Sequence, residues 1–122
     1  MEVGIVCTIY IDNDTAFNQA NQTLDSIKSK YPIRLYARVS KLGDKYKGIL
    51  KRFDSVTKND ANILSRSWNK GIKRALKDGC GFVIIPNLDI KLFDNTIDNL
   101  VDFAKEDDSV LWSGRCVNTG AN

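Results

Sequence analysis

Histidine is absent from the 122-residue chain, and cysteine occurs only at Cys7, Cys80 and Cys116. Without histidine, Ser-His-Asp triads, Cys-His pairs and every other imidazole-based acid-base mechanism are excluded. The cysteines show no C-x-x-C spacing, so a zinc site has almost no available ligands. An odd number of cysteines fits a reducing compartment better than a disulfide framework, which predicts a cytoplasmic protein.

Long apolar runs and a strong net charge are also missing. The longest apolar runs, near 3–11 and 82–86, are far shorter than a membrane span, and no signal-peptide pattern opens the chain. The formal net charge is +3, from 18 interspersed basic and 15 acidic residues. We therefore expect neither a membrane span nor nucleic-acid binding. With 43% hydrophobic and 27% charged residues, the composition is that of one globular domain over 1–122.

Hydrophobic periodicity predicts the elements of the first half. Residues 3–11 (VGIVCTIYI) are apolar and β-branched without strict alternation, which is typical of a strand covered on both faces. Helical spacing follows over 15–31 and ends before Pro32. Residues 33–39 alternate apolar and basic side chains, which indicates a strand open on one face or near an edge. A short third strand is predicted over 48–56.

The second half repeats the alternation of helix and strand. A helix ends at Gly79, the central buried strand 82–85 follows, and a third helix precedes a last strand at 109–113. The apolar stripe of the first of these helices is Leu64, Trp68, Ile72, Ala75 and Leu76. Strands separated by helical crossovers predict an α/β fold, a three-layer α/β/α sandwich with a mostly parallel sheet. The tail after residue 117 suggests a truncated version of that fold.

The carboxylate that follows the buried strand is the first candidate for chemistry. Asp89 lies in Pro86-Asn87-Leu88-Asp89, where open α/β sheets place their ligand crevice. A carboxylate there can bind Mg²⁺ or Mn²⁺, which prefer oxygen ligands and often share substrate phosphates. Capping of the turn explains Asp89 equally well. Asn87 lies on the same side in a strand-like geometry and can add an amide oxygen, although a turn role is the simpler one.

Two polar residues on the preceding helix form a second candidate group. Arg66 and Asn69 lie three residues apart, so their side chains are neighbours outside the apolar stripe. Arg66 can pair with a phosphate through its planar fork. A solvated helix face is the simpler interpretation of both.

These motifs together resemble a known family. The pattern N-x₆-N-x-G-I-x-x-A on a helix, followed by an apolar strand ending in N-x-D, is similar to the nucleotide-sugar-binding half of family-2-type glycosyltransferases with a GT-A fold. The matching residues are Asn62, Asn69, Gly71, Ile72, Ala75, Asn87 and Asp89. The similarity extends more loosely from Val3 to about Val117.

The resemblance implies a donor site that binds a nucleoside-diphosphate sugar. Asp89 would bind a divalent metal, Mn²⁺ or Mg²⁺, together with the donor diphosphate. Thr8 and Tyr10 match the backbone around the nucleobase and ribose, and Arg66 lies close to a position that approaches the donor. The implied donor-binding residues are Thr8, Tyr10, Arg66, Asn69, Asn87 and Asp89.

The sequence also departs from the family pattern. An aspartate is usual at the end of the second strand, but this chain has Arg38-Val39-Ser40 there, which leaves only Ser40 and Asp44 as poor substitutes. The acceptor-binding half and the catalytic base of the family follow the last predicted strand. The acceptor half is therefore expected to be absent from 1–122, and no catalytic residue can be named.

The leading hypothesis is the donor-binding portion of a glycosyltransferase, which transfers a sugar from its nucleoside-diphosphate donor to an acceptor hydroxyl with metal assistance. The alternative is a non-catalytic α/β binding or scaffold module derived from that fold. A nucleotidyltransferase would need a glycine-rich, basic loop after the first strand, but residues 10–14 (YIDND) are acidic and lack glycine. The donor sugar, the base and the acceptor stay open, as does a homodimer.

Overall fold

A four-stranded sheet with helices on both faces forms the described part of the chain. The computed structural model describes residues 2–59 and 64–106. The elements are β1 (Glu2–Ile11), α1 (Asp14–Asp25), β2 (Ile33–Leu42), a 3-10 helix (Asp44–Arg52), β3 (Ser55–Lys58), α2 (Leu64–Lys77), β4 (Cys80–Ile84) and α3 (Thr96–Glu106). The strand order is β3-β2-β1-β4, and every neighbouring pair is parallel. The predicted α/β fold with a mostly parallel sheet is confirmed.

Both faces of β1 are buried, which explains why its sequence does not alternate. Val3, Ile5 and Ile9 face the main core, which α1, the 3-10 helix and α3 also line. Val6 faces the opposite side and packs with Ala75 of α2 in a second, smaller core. The sheet is therefore the middle of three layers, as the sequence predicts.

Several boundaries differ from the prediction. Helix α1 ends at Asp25 rather than near residue 31, because the next N–H group, that of Ile27, bonds three residues back to the Leu24 carbonyl and closes the last turn. The 3-10 helix occupies much of the predicted third strand, and β3 is only four residues long. Strand β4 lies at the edge of the described sheet instead of its centre, and the predicted strand 109–113 lies outside the described residues.

Helix α3 is attached to the loop that precedes β2 by a cluster of polar contacts. Asp98 accepts hydrogen bonds from the Ser29 hydroxyl (2.5 Å) and the Lys30 backbone N–H (3.0 Å). Asp102 accepts from the Tyr31 hydroxyl (2.5 Å) and from Lys30 Nζ (2.9 Å). The Tyr31 hydrogen bond, followed by that of Lys30, lowers the pKa of Asp102 below its ordinary value.

Asp102 is expected to make stability depend on pH. Because its pKa is lower in the folded than in the unfolded chain, its contribution is complete above the unfolded value of about 4 and is lost as the pH falls further. Asp102→Asn should therefore flatten the decline of the unfolding free energy from about pH 4 downward. Urea unfolding at a series of pH values measures this slope.

Asp94→Asn is the matched control for that experiment. The Asp94 side chain is 85% exposed, and its ion pair with Lys28 lies on the surface. The control should keep the slope of the unmodified protein, since exposed ion pairs contribute little. An unchanged slope in Asp102→Asn would contradict a stabilising role for this carboxylate.

Two of the three cysteines are described, and both are buried and free. Burial raises the pKa of Cys7 to about 12, so its thiol stays protonated at neutral pH. Cys116 lies outside the described residues. None of the helices within 2–59 and 64–106 is both long and apolar enough to cross a membrane.

Candidate functional site

The candidate site lies at the carboxyl ends of β1 and β4. Strand β4 pairs with β1 only as far as Ile84, which lies opposite Ile5, whereas β1 continues to Ile11. The chain after β4 therefore leaves the sheet beside the final residues of β1. Crevices of open α/β sheets form at such strand ends.

Asp89 lies in a turn that is anchored on both sides. Before it, Leu88 is half-buried against the main core. After it, the Ile90 carbonyl accepts a hydrogen bond from the buried Thr23 hydroxyl (2.5 Å), and the Leu92 N–H donates to Ser26 Oγ (3.0 Å). These contacts join the turn to α1, so the position of Asp89 is fixed by its neighbours rather than by its own side chain.

The Asp89 carboxylate itself is exposed and uses none of its acceptor capacity within the described part of the chain. It makes no hydrogen bond or ion pair with another residue there. Asn87 is likewise exposed, while Pro86 and Leu88 turn towards the protein. Asn87 and Asp89 are therefore both accessible to solvent, and their common orientation stays a prediction.

Thr8 and Tyr10 lie near the end of β1. The half-buried Thr8 hydroxyl is 3.1 Å from the hydroxyl of Ser67 on α2, and either oxygen can be the donor. Tyr10 is 50% exposed, and Lys41 Nζ lies 5.6 Å from the centre of its ring. Thr8 therefore faces α2, and Tyr10 offers an open aromatic surface with a cation beside it.

Arg66 and Asn69 are exposed near the beginning of α2. They share that helix with Ser67, so they lie on the side of the sheet that Thr8 faces. Among the described residues, no hydrogen bond or ion pair links Asp89 to Arg66, Asn69 or Tyr10. The structure thus joins Thr8 directly to Ser67 of α2, and Asp89 belongs to the turn after β4.

Two small residues let α2 approach β1 closely. A Cβ atom placed on Gly71 would lie 2.3 Å from Val6 Cγ1, and one placed on Gly4 would lie 3.0 Å from Ala75 Cβ. Gly71 and Ala75 belong to the motif that carries the family resemblance, and both are buried. In this chain they are packing residues that set the distance between α2 and the sheet.

Arg38 lies within β2, the strand after which the family pattern described above has an aspartate. It lies opposite Thr8 in the β1–β2 register and opposite Thr57 in the β2–β3 register. Ser40 accepts a hydrogen bond from Asn59 (2.7 Å), and Asp44 pairs with Lys47 on the surface (2.8 Å). The structure therefore engages both substitutes, Ser40 and Asp44, in contacts with neighbouring residues of this chain.

Sequence reasoning missed the roles of Ser67 and Arg38. Ser67 is buried and contacts Thr8 across 59 residues of sequence. The sequence of the second strand alternates Arg34 and Arg38 with apolar residues, and this pattern predicted that the arginines lie on a solvent-exposed face of the strand. The strand register supplies the missing information, since it aligns Arg38 with Thr8 and Thr57.

The described residues after β4 offer only oxygen donors to a cation. No group of three or more His, Cys, Asp or Glu side chains that could hold a metal occurs among the described residues. Asp89 and Asn87 supply oxygen donors only, which suits Mg²⁺ or Mn²⁺. These ions often take one or two protein oxygens and complete their shell with phosphates and water.

Comparisons with known proteins show which solved structures share this fold. No protein-family model matches the sequence, and a search of curated proteins found no significant match. Residues 1–349 of S. aureus TarS superpose with a TM-score of 0.67 at 15% identity, over 87% of this chain and 33% of that one. This chain shares its fold with a glycosyltransferase.

A second TarS structure gives a TM-score of 0.64 at 17% identity, over 87% of this chain and 20% of TarS. The chain thus spans about a third or less of the TarS chains it matches. At this level of identity the similarity shows the fold, which is GT-A-like as the sequence predicts. The TarS match does not by itself assign an activity or a site residue to this chain.

Proposed function

We propose that this chain is the donor-binding portion of a glycosyltransferase and that it binds a nucleoside-diphosphate sugar at the carboxyl ends of β1 and β4. One observation carries the proposal. The Asp89 carboxylate is exposed and unpaired within the described residues, in an anchored turn that follows residues 85–87 after β4 of a GT-A-like sheet. A turn cap would use its acceptor oxygens on nearby backbone N–H groups, and Asp89 does not.

Each candidate residue has a role that suits its position. Asp89 and Asn87 would hold a Mn²⁺ or Mg²⁺ ion and the donor diphosphate. Such an ion acts as a Lewis acid that neutralises the charge of a departing diphosphate. Thr8 and Tyr10 would border the nucleobase and ribose, since they lie near the end of β1.

Arg66 and Asn69 complete the proposed donor site. Their exposed side chains near the beginning of α2 would approach the donor from the side of the sheet that Thr8 faces. Arg66 offers a planar fork that can pair with phosphate oxygens. The acceptor, the catalytic base and the donor sugar stay unassigned, and single-domain organisation, cytoplasmic location and a homodimer stay predictions.

A non-catalytic binding module is the second candidate. Arg38 favours it, because β2 carries a buried guanidinium, and the aspartate that the resembling family usually has at the end of this strand to hold the nucleobase or ribose is missing. A module of this kind would keep the sheet and lack metal-dependent binding of nucleotides.

Calorimetric titration of UDP and GDP, with and without Mn²⁺, tests the proposal. We expect binding of at least one nucleotide that requires Mn²⁺ and weakens by about tenfold or more in Asp89→Ala, since the variant lacks the carboxylate that anchors the metal. Asp94→Ala removes another exposed acid from the same segment and should bind as the unmodified chain does. Failure of the folded chain to bind either nucleotide with Mn²⁺ would favour the binding module.

A further inference from the structure

A cavity of about 160 Å³ lies between α2 and the strands β2 and β3. Arg38, Lys70 and Arg74 contribute three cationic side chains to its wall, and Ser55 and Thr57 contribute hydroxyl groups. No acidic side chain from residues 2–59 or 64–106 lines it. The proposed donor residues do not line it either, so this cavity is separate from the turn of Asp89.

Arg38 is the central feature of this cavity. Its side chain is 7% exposed, and it donates to Thr57 Oγ1 (2.6 Å) and to Asn59 Oδ1 (2.5 Å). Both acceptors are neutral, and the buried Nε has no acceptor among the described residues. A buried cation normally requires a counter-charge, because neutral acceptors do not offset the loss of its hydration.

The Asp78 carboxylate contacts two residues of the cavity wall but not Arg38. Asp78 accepts hydrogen bonds from Tyr36 (2.8 Å) and from Arg74 Nε (3.1 Å), and it lies 3.8 Å from Arg34 NH1. The terminal nitrogens of Arg74 make no hydrogen bond with a described residue. The wall therefore carries a buried guanidinium without a described counter-ion, and a second guanidinium with donors to spare.

We propose that this cavity binds a phosphate group, with Arg38 and Arg74 as its charged anchors. Its volume of about 160 Å³ leaves room for a phosphate group. Guanidinium groups bind phosphate oxygens through charge-assisted hydrogen bonds. The half-buried Ser55 hydroxyl adds a further donor.

Titration with inorganic phosphate at constant ionic strength, followed by amide NMR without metal, tests this proposal. We expect saturable shifts at Gly71 and Thr57 in the unmodified chain. Arg38→Gln should weaken binding by about tenfold or more, because a charge-assisted contact is lost. Ethyl phosphate provides a second arm, and tighter binding of the ester would identify a phosphoryl group on a larger molecule rather than the free ion.

Three further variants make the result decisive. Arg74→Gln alters a half-exposed side chain at the cavity wall and should weaken phosphate binding even if Arg38→Gln does not fold. Arg52→Gln removes an arginine that lies outside the cavity and should leave binding unchanged. Asp89→Ala should also bind phosphate normally, which separates this proposal from the donor site.

The proposal is overturned by any of three results. The first is the absence of saturable shifts at Gly71 and Thr57 in the unmodified chain. The second is that the folded Arg38→Gln and Arg74→Gln variants bind phosphate as tightly as the unmodified chain does. The third is the loss of phosphate binding in Asp89→Ala.

Discussion

Gly71→Ala is expected to lower the free energy of unfolding by about 1–3 kcal/mol, the usual range for overpacking a core. The new Cβ atom would lie 2.3 Å from Val6 Cγ1, and Val6 is fully buried on β1. Alanine gains about 1 kcal/mol over glycine inside a helix, so a net loss would mean that the clash exceeds this gain. Urea unfolding monitored by circular dichroism measures the difference.

Two other variants show whether the loss comes from that contact. Gly48→Ala is the control, because a Cβ atom there meets no atom within 4 Å, and it should leave stability unchanged or slightly higher. Val6→Ala removes the clashing methyl groups, so it should cost less in the Gly71→Ala background than alone. Additive effects of the two substitutions would contradict close packing of α2 on β1.

Ile5→Ala is expected to be more costly, by about 2–5 kcal/mol. Ile5 is completely buried at the centre of β1, where it lies between Leu35 of β2 and Ile84 of β4 in the sheet register. The substitution removes three carbon atoms from a site that rigid strands enclose, so the surroundings cannot collapse fully onto the cavity. The same unfolding experiment measures it.

Leu76→Ala is the matched control for Ile5→Ala. Leu76 is 55% exposed on α2, and alanine is a good helix former, so we expect a change within about 0.5 kcal/mol. A large loss at Leu76 together with a small one at Ile5 would mean that the core lies elsewhere than on the odd-numbered face of β1.

Leu76 also shows where sequence periodicity stops being informative. The apolar stripe of the helix included it, yet the described part of α2 turns Gly71 and Ala75 towards β1. Closest approach at small residues decides which face is buried, and spacing alone does not contain that information. The unbroken apolar run of β1, in contrast, correctly predicted a strand with two covered faces.

At the end of α1, tertiary contacts outweigh the helical pattern of the local sequence. Ile27 and Tyr31 continue the helical spacing, and both pack against the main core, but they do so from a loop. Asp98 and Asp102 of α3 supply the hydrogen-bond partners that this loop needs. Contacts about 70 residues away in sequence cannot be read from a local window.

Some features of the candidate site could also be predicted from the sequence, and others could not. A strand followed by the turn of Asp89 could be predicted from the apolar run and the residues after it, and the role of Asp89 stays a prediction. The pairing of Thr8 with Ser67 and the burial of Arg38 could not, since both depend on strand register and on the depth at which α2 packs. Arg38 looked like a solvated residue, and the structure places it inside.

The most direct test of the donor site is amide NMR of the unmodified chain with UDP and substoichiometric Mn²⁺, since the paramagnetic ion broadens signals near its binding site. We predict selective broadening of residues 87–90 first, together with signals near the end of β1 at Thr8 and Tyr10. Broadening that requires UDP would locate the metal between Asp89 and the diphosphate. Broadening centred on another acid, such as Asp44, with residues 87–90 unaffected, would contradict the account.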